Sequence, residues 1–296
     1  MADNLSRLSS EQFPPLLSEI PDPPKQLYVR GELPSYADTL WLAVVGSRAA
    51  SAYGRQVCDY LIEGLRGYPV VIVSGLAYGI DACAHKAALN AGLKTISVPG
   101  SGLDWDVMYP KANVNLAKEI IKAGGAHLSE FEPDQKAADY TFPQRNRIMA
   151  GMCKATLVIE AKERSGSLIT ARLATEYNRE LCVVPGNIFS DVSKGTHQFM
   201  KLGATPITEP EDILRVLGLE SRNKETAPSE DLSFNEARVL EIVSNPCSRD
   251  ELLTTLSLPV SDANILLSTM EIKGLIKEEY GVVRAAYAFA PTCKRS

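Results

Sequence analysis

Gly46-Ser47-Arg48 carry the first chemistry in this chain. They follow the apolar run LWLAVV (40–45) and precede a helical period that begins near Tyr53. A strand, a glycine turn and a helix start form a cradle for an anion, because the first helical N–H groups are unpaired and the helix dipole is positive there. The G-x-G-x-x-G spacing of a dinucleotide turn is missing, and an arginine stands where that turn would close. A long cation at this point suits a phosphate crossing the strand end better than a pyrophosphate seated against the helix.

Similar residues recur after the later apolar runs. Ser74-Gly75-Leu76-Ala77-Tyr78-Gly79-Ile80-Asp81 follows PVVIVS (69–74), and Pro99-Gly100-Ser101-Gly102 follows KTISVP (94–99). Glu163-Arg164-Ser165-Gly166-Ser167 follows ATLVIEA (155–161), and Pro185-Gly186-Asn187 follows ELCVVP (180–185). A single loop of this kind is the tight turn any α/β protein needs. Several on one rim make an anion-binding edge, with Gly46, Ser47, Ser74, Gly75, Ala77, Gly79, Ser165, Gly166 and Ser167 as its backbone and hydroxyl donors.

Further positive charge comes from Lys111 in DWDVMYPKAN (104–113), although a solvated lysine is the plainer reading there, and from Arg145 and Arg147 in FPQRNRIMAGM (142–152). The helix is expected to open after Pro143. Two residues apart, the arginines point to different faces. One is expected to brace the fold and the other to face the rim; the spacing does not say which. Tyr78, Trp105, Tyr109 and Phe142 lie in or near these loops, where they serve either packing or stacking.

Catalytic patterns are missing. His85, His127 and His197 are far apart, and His85, four residues after Asp81, is expected to make a local Asp–His contact or a cap rather than an acid–base pair. No G-x-S-x-G, H-E-x-x-H or G-x-x-x-x-G-K-[ST] motif occurs. No metal or other cofactor is expected.

The elements that must position these residues follow from periodicity. Apolar runs from residue 40 onward, with AHLSE (126–130) and TPIT (205–208) among them, alternate with helical stretches such as IDACAHKAALNAG and LITARLATEYNRE. Continuous β-branched runs separated by helices predict a doubly wound, mostly parallel Rossmann-like sheet over 39–219. Residues 1–38, with PDPPKQLYVRGELP, are expected as an extended lead-in. Residues 220–230 (ESRNKETAPSE) are expected as a linker. Three short helical periods and a hairpin signal, GLIKEEYGVVRAAYAF, predict a small winged-helix domain over 231–291. There Arg238, Arg249, Lys273, Lys277 and Arg284 face nine Asp or Glu. Such a balance suits a partner-binding or packing module better than a reader of duplex DNA.

The chain has 296 residues, 45% apolar and 23% charged, with a formal net charge of -5. That charge predicts no polyanion partner by itself, so any such site is a local patch. Cys58, Cys83, Cys153, Cys182, Cys247 and Cys293 form no C-x-x-C pair and are expected as reduced thiols of a cytoplasmic protein. Neither a signal core nor a run long enough to span a membrane occurs in the sequence.

VVGSR, VSGLAYGIDACAHKAAL, GLDWDVMYPKANVNLAKEI, LSEF, FPQRNRIMAGM, TLVIEAKERSGSLITARLA, VPGNI and KGTHQFMKLGA, in this order over about 40–215, resemble the DNA-processing protein A (DprA, also Smf) family. The resemblance implies a non-enzymatic, homodimeric, single-stranded DNA-binding protein that protects incoming strands and loads RecA recombinase during natural transformation. Carried onto matching positions, the DNA contacts would be Arg48, Lys111 and Arg145 or Arg147, with the Ser74-Gly75 and Ser165-Gly166-Ser167 loops as donors. Many members carry a helical N-terminal domain, where here only the short lead-in precedes the sheet.

Two other readings compete. A nucleotide phosphoribohydrolase of the lysine-decarboxylase-like group shares the glycine rim, but it needs a glutamate in the loop where this chain has SGSLITA. A transcription regulator with a ligand-sensing α/β domain needs a more basic recognition helix.

Overall fold

A computed structural model describes residues 4–220, 232–243, 245–279 and 281–285. The chain divides into two compact units, before and after Ser221.

In the first unit β1 (Leu5–Leu8), α1 (Pro15–Ser18) and β2 (Leu27–Gly31) precede β3 (Leu40–Val45), α2 (Ala52–Glu63), β4 (Val70–Ser74) and α3 (Ile80–Asn90). Next come β5 (Lys94–Ser97), α4 (Val114–Lys122), β6 (Ala126–Ser129), α5 (Thr141–Met152) and β7 (Ala155–Val158). The unit ends with α6 (Ser167–Glu176), β8 (Glu180–Val183), α7 (Lys194–Lys201), β9 (Thr205–Pro206) and α8 (Pro210–Leu217). The nine strands form one sheet in the order β1-β2-β6-β5-β4-β3-β7-β8-β9. From β6 through β9 all neighbours are parallel.

Residues 5–31, expected as an extended lead-in, instead supply two antiparallel strands of this sheet. β2 pairs with β6, and β1 pairs with β2. Leu27 and Val29 point to one face of β2 and join the core.

The β-branched runs are apolar throughout because both faces of the sheet are covered. In β3, Trp41, Ala43 and Val45 pack with Ile148, Met149 and Met152 of α5 and with Leu168 and Ala171 of α6. Leu42 and Val44 pack with Cys58, Leu61 and Ile62 of α2 and with Ile80 and Ala84 of α3. Each such buried aliphatic side chain contributes about 1.5–3 kcal/mol. Cys58, Cys153 and Cys182 are free thiols within these layers, and burial pushes the Cys182 thiol up to about 12.

The sequence order of the parallel strands runs outward from β3 to β6 and then returns to β7 beside β3. The reversal lies between β3 and β7, and strand-end crevices that seat ligands open at such points.

The second unit comprises α9 (Phe234–Ile242), β10 (Cys247–Ser248), α10 (Arg249–Leu256), α11 (Val260–Ile272), β11 (Ile276–Glu279) and β12 (Val282–Ala285). Its three strands order β10-β12-β11, all antiparallel. Ser233 and Ser248 cap α9 and α10, reciprocated by Glu236 and Glu251. Val239, Leu240, Leu252, Leu256, Leu267, Met270 and Val283 form its own core. The expected linker, apart from Glu220, and residues 231, 244, 280 and 286–291 of the expected domain lie outside the described residues.

Candidate nucleic-acid interface

The loops after β3 and β4 interlock. Ser47 is buried; its carbonyl accepts from the Ile80 N–H at 3.1 Å, and its hydroxyl accepts from the Ala49 N–H at 3.2 Å. Gly79 has φ 74°, and a Cβ there would lie 2.2 Å from the Ser47 carbonyl oxygen and 2.6 Å from that of Arg48. Only glycine meets both demands. This junction holds the Gly46-Ser47-Arg48 turn, and Arg48 projects outward as an exposed side chain.

Arg48 lies over the face of Phe142, with its guanidinium carbon 5.0 Å from the ring centroid. Tyr109 stands 5.8 Å from Phe142, centroid to centroid. Together with Gly75, Ala77, Tyr78 and Pro110, these residues line a shallow depression at the ends of β3, β4 and β5. Tyr78 and Tyr109 are 46% and 42% exposed, so an aromatic surface stands beside a cation. Trp105 is engaged elsewhere, under Arg30 at 4.9 Å and Lys118 at 5.6 Å.

Neither helix arginine is a solvent-facing contact, which corrects the expectation that one would face the rim. Arg145 is 4% exposed. It donates to the Gly75 carbonyl at 2.7 Å, to the Val98 carbonyl, and to Asn146 Oδ1 at 3.1 Å. Burial pushes its pKa down to about 10, opposed by Asp81. Asp81 itself is pushed up by burial and drawn back down by Arg145, by the Ala77 and Gly75 amides and by Arg48. Arg147 points the other way and pairs with Glu130 at 2.6 Å and Asp22 at 3.3 Å. The two faces predicted from spacing are real: carbonyls of the loops after β4 and β5 hold Arg145, and carboxylates distant in the sequence hold Arg147.

α5 begins at Thr141, two residues before Pro143, and staples the rim from beneath. Thr141 donates to the Gly100 carbonyl at 2.5 Å, and Asn146 donates to the Gly166 carbonyl at 3.4 Å. One helix therefore fixes the loops after β4, β5 and β7 and carries Phe142 into the depression.

The remaining candidates divide. The Ser74 hydroxyl is buried and donates to the Val44 carbonyl at 2.6 Å, which makes it a strand-to-strand brace and removes it from the contact surface. Gly75 is buried, Gly46 and Ala77 are half-buried, and the Ala77 N–H points to Asp81 Oδ2 at 3.4 Å. Lys111 is exposed, its ammonium donating to the Asp106 carbonyl and lying 3.5 Å from that of Trp105. Ser165 and Ser167 pair through their hydroxyls at 2.7 Å around exposed Gly166, at the start of α6 and outside the residues that line the depression. α6 has no acid in its first turn, so the carboxylate that a phosphoribohydrolase would place there is not present.

The histidines serve the core. His85 shares a 2.7 Å hydrogen bond with Thr95, not the expected contact with Asp81, and burial pushes its pKa down to about 3. His127 bonds Ser97 and Ala117, and His197 bonds the Gly186 carbonyl. Among the described residues no group of His, Cys, Asp or Glu could hold a metal ion.

Sequence reasoning passed over Asn113, Asn146 and Glu160. Asn113 donates to the Leu76 and Ala77 carbonyls at 2.8 and 3.1 Å and so ties the Lys111 loop to the rim. Glu160 was visible as an acid inside the apolar run TLVIEA; a buried carboxylate must find donors.

A family model described as DNA recombination-mediator protein A matches residues 4–218. Protein Smf of Escherichia coli is 46% identical over 208 residues, which are 70% of this chain and 55% of that protein. The DNA processing protein DprA of Streptococcus pneumoniae is 46% identical over 207 residues, 68% of this chain and 70% of that one. The solved pneumococcal DprA structure aligns with TM-score 0.66 and 41% identity over 74% of this chain and 75% of its own. A Helicobacter pylori DprA structure, described for its unique single-stranded DNA binding mode, aligns with TM-score 0.65 and 32% identity over 73% of this chain and 98% of its own.

Proposed function

The chain belongs to the DNA recombination-mediator protein A family, and on that premise we propose that the strand-end rim of its first unit binds single-stranded DNA without catalysing a reaction. The observation that carries this reading is Arg48, an exposed guanidinium that makes no ion pair among the described residues and stands over Phe142 beside Tyr78 and Tyr109. Single strands are held by cations that track phosphates and by aromatic faces on which bases stack. A cation and three rings around one depression match both requirements. A duplex would bring its bases already stacked and would leave the rings without partners.

Arg48 takes a phosphate, Phe142 and Tyr109 offer stacking faces, and the loops of Gly75 to Gly79 bring backbone close to the strand. Lys111 adds charge at the margin. Arg145 and Asn146 act from beneath by holding those loops in place. The Ser165–Ser167 loop is a further contact as the strand leaves the depression. The work is cytoplasmic, and among the described residues no helix is long and apolar enough to cross a membrane. The resemblance adds a homodimer, protection of incoming strands and delivery to RecA recombinase as parts of the same proposal.

A mobility-shift titration of labelled single strands at several salt concentrations, with a duplex control, tests the reading. Preference for single strands and a loss in Arg48→Ala are expected. Equal binding by that variant, or no single-strand binding by the native protein, would sink it.

A further inference from the structure

The crevice between β3 and β7, where a doubly wound sheet ordinarily seats a phosphate, already contains an anion. Glu160 follows β7, is 2% exposed, and has no ion-pair partner among the described residues. Its Oε2 accepts from the Ser51 N–H at 3.0 Å, and its Oε1 from the Ser51 hydroxyl at 2.5 Å. Ser51 is the N-cap of the twelve-residue helix α2, and its hydroxyl in turn accepts from the Gly54 N–H at 3.0 Å. Gly54 leaves the room: a Cβ there would lie 2.3 Å from Glu160 Oε2.

A buried carboxylate without a cation persists only where dipoles and N–H groups replace its water, and here the start of α2 supplies them. These donors, at the strand-order reversal, are the ones a nucleotide phosphate would need. We infer that Glu160 is a specificity-determining residue: it fills the phosphate seat of α2 with the protein's own anion, so that free phosphates and mononucleotides are refused there. The inference rests on the strand-binding reading only in naming what is left for Arg48, three residues before Ser51, which faces out of the seat. The rim then takes a phosphate presented from outside, as on a strand, and does not take one inserted end-on.

The test titrates inorganic phosphate and dAMP separately into the native protein, Glu160→Ala and Glu160→Gln, following the Ser51 and Gly54 amide resonances. The native protein is expected to show no change at those amides. Glu160→Ala empties the seat and should bind phosphate at least about tenfold more tightly than the native protein, the size of a helix-terminus charge interaction. Glu160→Gln keeps the seat filled and should gain little. Saturable shifts at Ser51 and Gly54 in the native protein, an equal gain in Glu160→Gln, or a folded Glu160→Ala without gain would each overturn the inference. If Glu160→Ala is too unstable to titrate, acetate should raise its melting temperature and leave the native one unchanged; absence of that rescue also overturns it. Should the variant not fold at all, the native titration decides. Single-strand affinity of Arg48→Ala is measured apart from these, so failure of the rim reading and failure of this one are distinguishable.

Discussion

Two regions of this chain have an architecture from which proteins reach DNA, and they differ in what becomes of their cations. In the second unit, α11 is the third helix and precedes the β11–β12 hairpin, the place a recognition helix would take in the expected winged helix. It exposes Val260, Ile265 and Ile272 at 66%, 66% and 88%, together with Asp262. The nearby cations are occupied: Arg249 pairs with Glu278 at 2.7 Å and lies 3.6 Å from Glu271, and Lys273 pairs with Glu236 at 2.8 Å. The rim of the first unit also consumes cations, since Arg145 and Arg147 are both tied down. Arg48 is the difference. On the proposed reading, fold class says where a nucleic acid could lie, and an exposed arginine without an ion pair among the described residues decides whether one is held.

The largest effect should come from Arg145→Ala. It removes the cation that offsets the buried Asp81 carboxyl and releases the Gly75 and Val98 carbonyls, and each buried acceptor left unsatisfied costs about 1–3 kcal/mol. Urea unfolding followed by tryptophan fluorescence measures this, since Trp41 and Trp105 both lie in the first unit. A loss below about 1 kcal/mol, typical of exposed pairs, would break the division between arginines that build the rim and the one that uses it.

Arg48→Ala should leave that unfolding curve unchanged and weaken single-strand binding by about 1.5–3 kcal/mol, the worth of a hydrogen bond to a charged group. The plot of log affinity against log salt should become shallower by about 0.7 for the lost phosphate. Phe142→Ala should cost about 1–3 kcal/mol of affinity if a base stacks there, with the salt slope unaltered. A changed slope would mean that the ring acts only by holding Arg48.

In the second unit the Lys273 ammonium and the Ser233 amide and hydroxyl hold the Glu236 carboxyl down to about 2. A depressed carboxyl stabilises above its ordinary value near 4.5 and loses that contribution as pH falls toward about 2. Protection factors across Phe234–Ile242, taken relative to the intrinsic exchange rate at each pH, should therefore fall over that window, and Glu236→Gln should flatten the response. The smallest expected effect sharpens the comparison most: Ile265→Ser on α11 should leave single-strand affinity unaltered. A measurable loss would move part of the interface onto the second unit.

Much of this was legible in the sequence. LWLAVV gives β3 to the residue, and the parallel order follows from strands that alternate with helices. Gly46-Ser47-Arg48 reads as a turn from the strand before it and its glycine, whereas Gly79 and Ile80, which hold it, and Phe142, under Arg48, are distant in the sequence. What escaped depends on contacts between distant residues. Nothing near Arg147 announces Asp22 or Glu130, and nothing near Ser74 announces the Val44 carbonyl. The lead-in read as an extended strap because its prolines forbid a helix; that β2 pairs with β6 is a fact about a segment far downstream. Glu160 had the clearest unused signal, an acid at the end of a buried strand.

That pairing also sets an order of events as the chain is made. β2 lies beside β6, with Tyr28 opposite Ser129, about 100 residues later in the chain. Once made, β1 and β2 therefore have no further neighbour in the sheet until β6 has emerged. Only β1, through its four-residue pairing with β2, can cover one edge meanwhile, and an isolated two-stranded ribbon is marginal in water. Loop closure over such a span must precede its contacts, and the same holds where β7 joins β3, with Leu42 opposite Ala155, so both joints should gain protection later in refolding than the β3–β4 and β4–β5 pairs. The sheet should then grow from the β3–β4 pair, with the N-terminal strands and β7 added across its two longest closures.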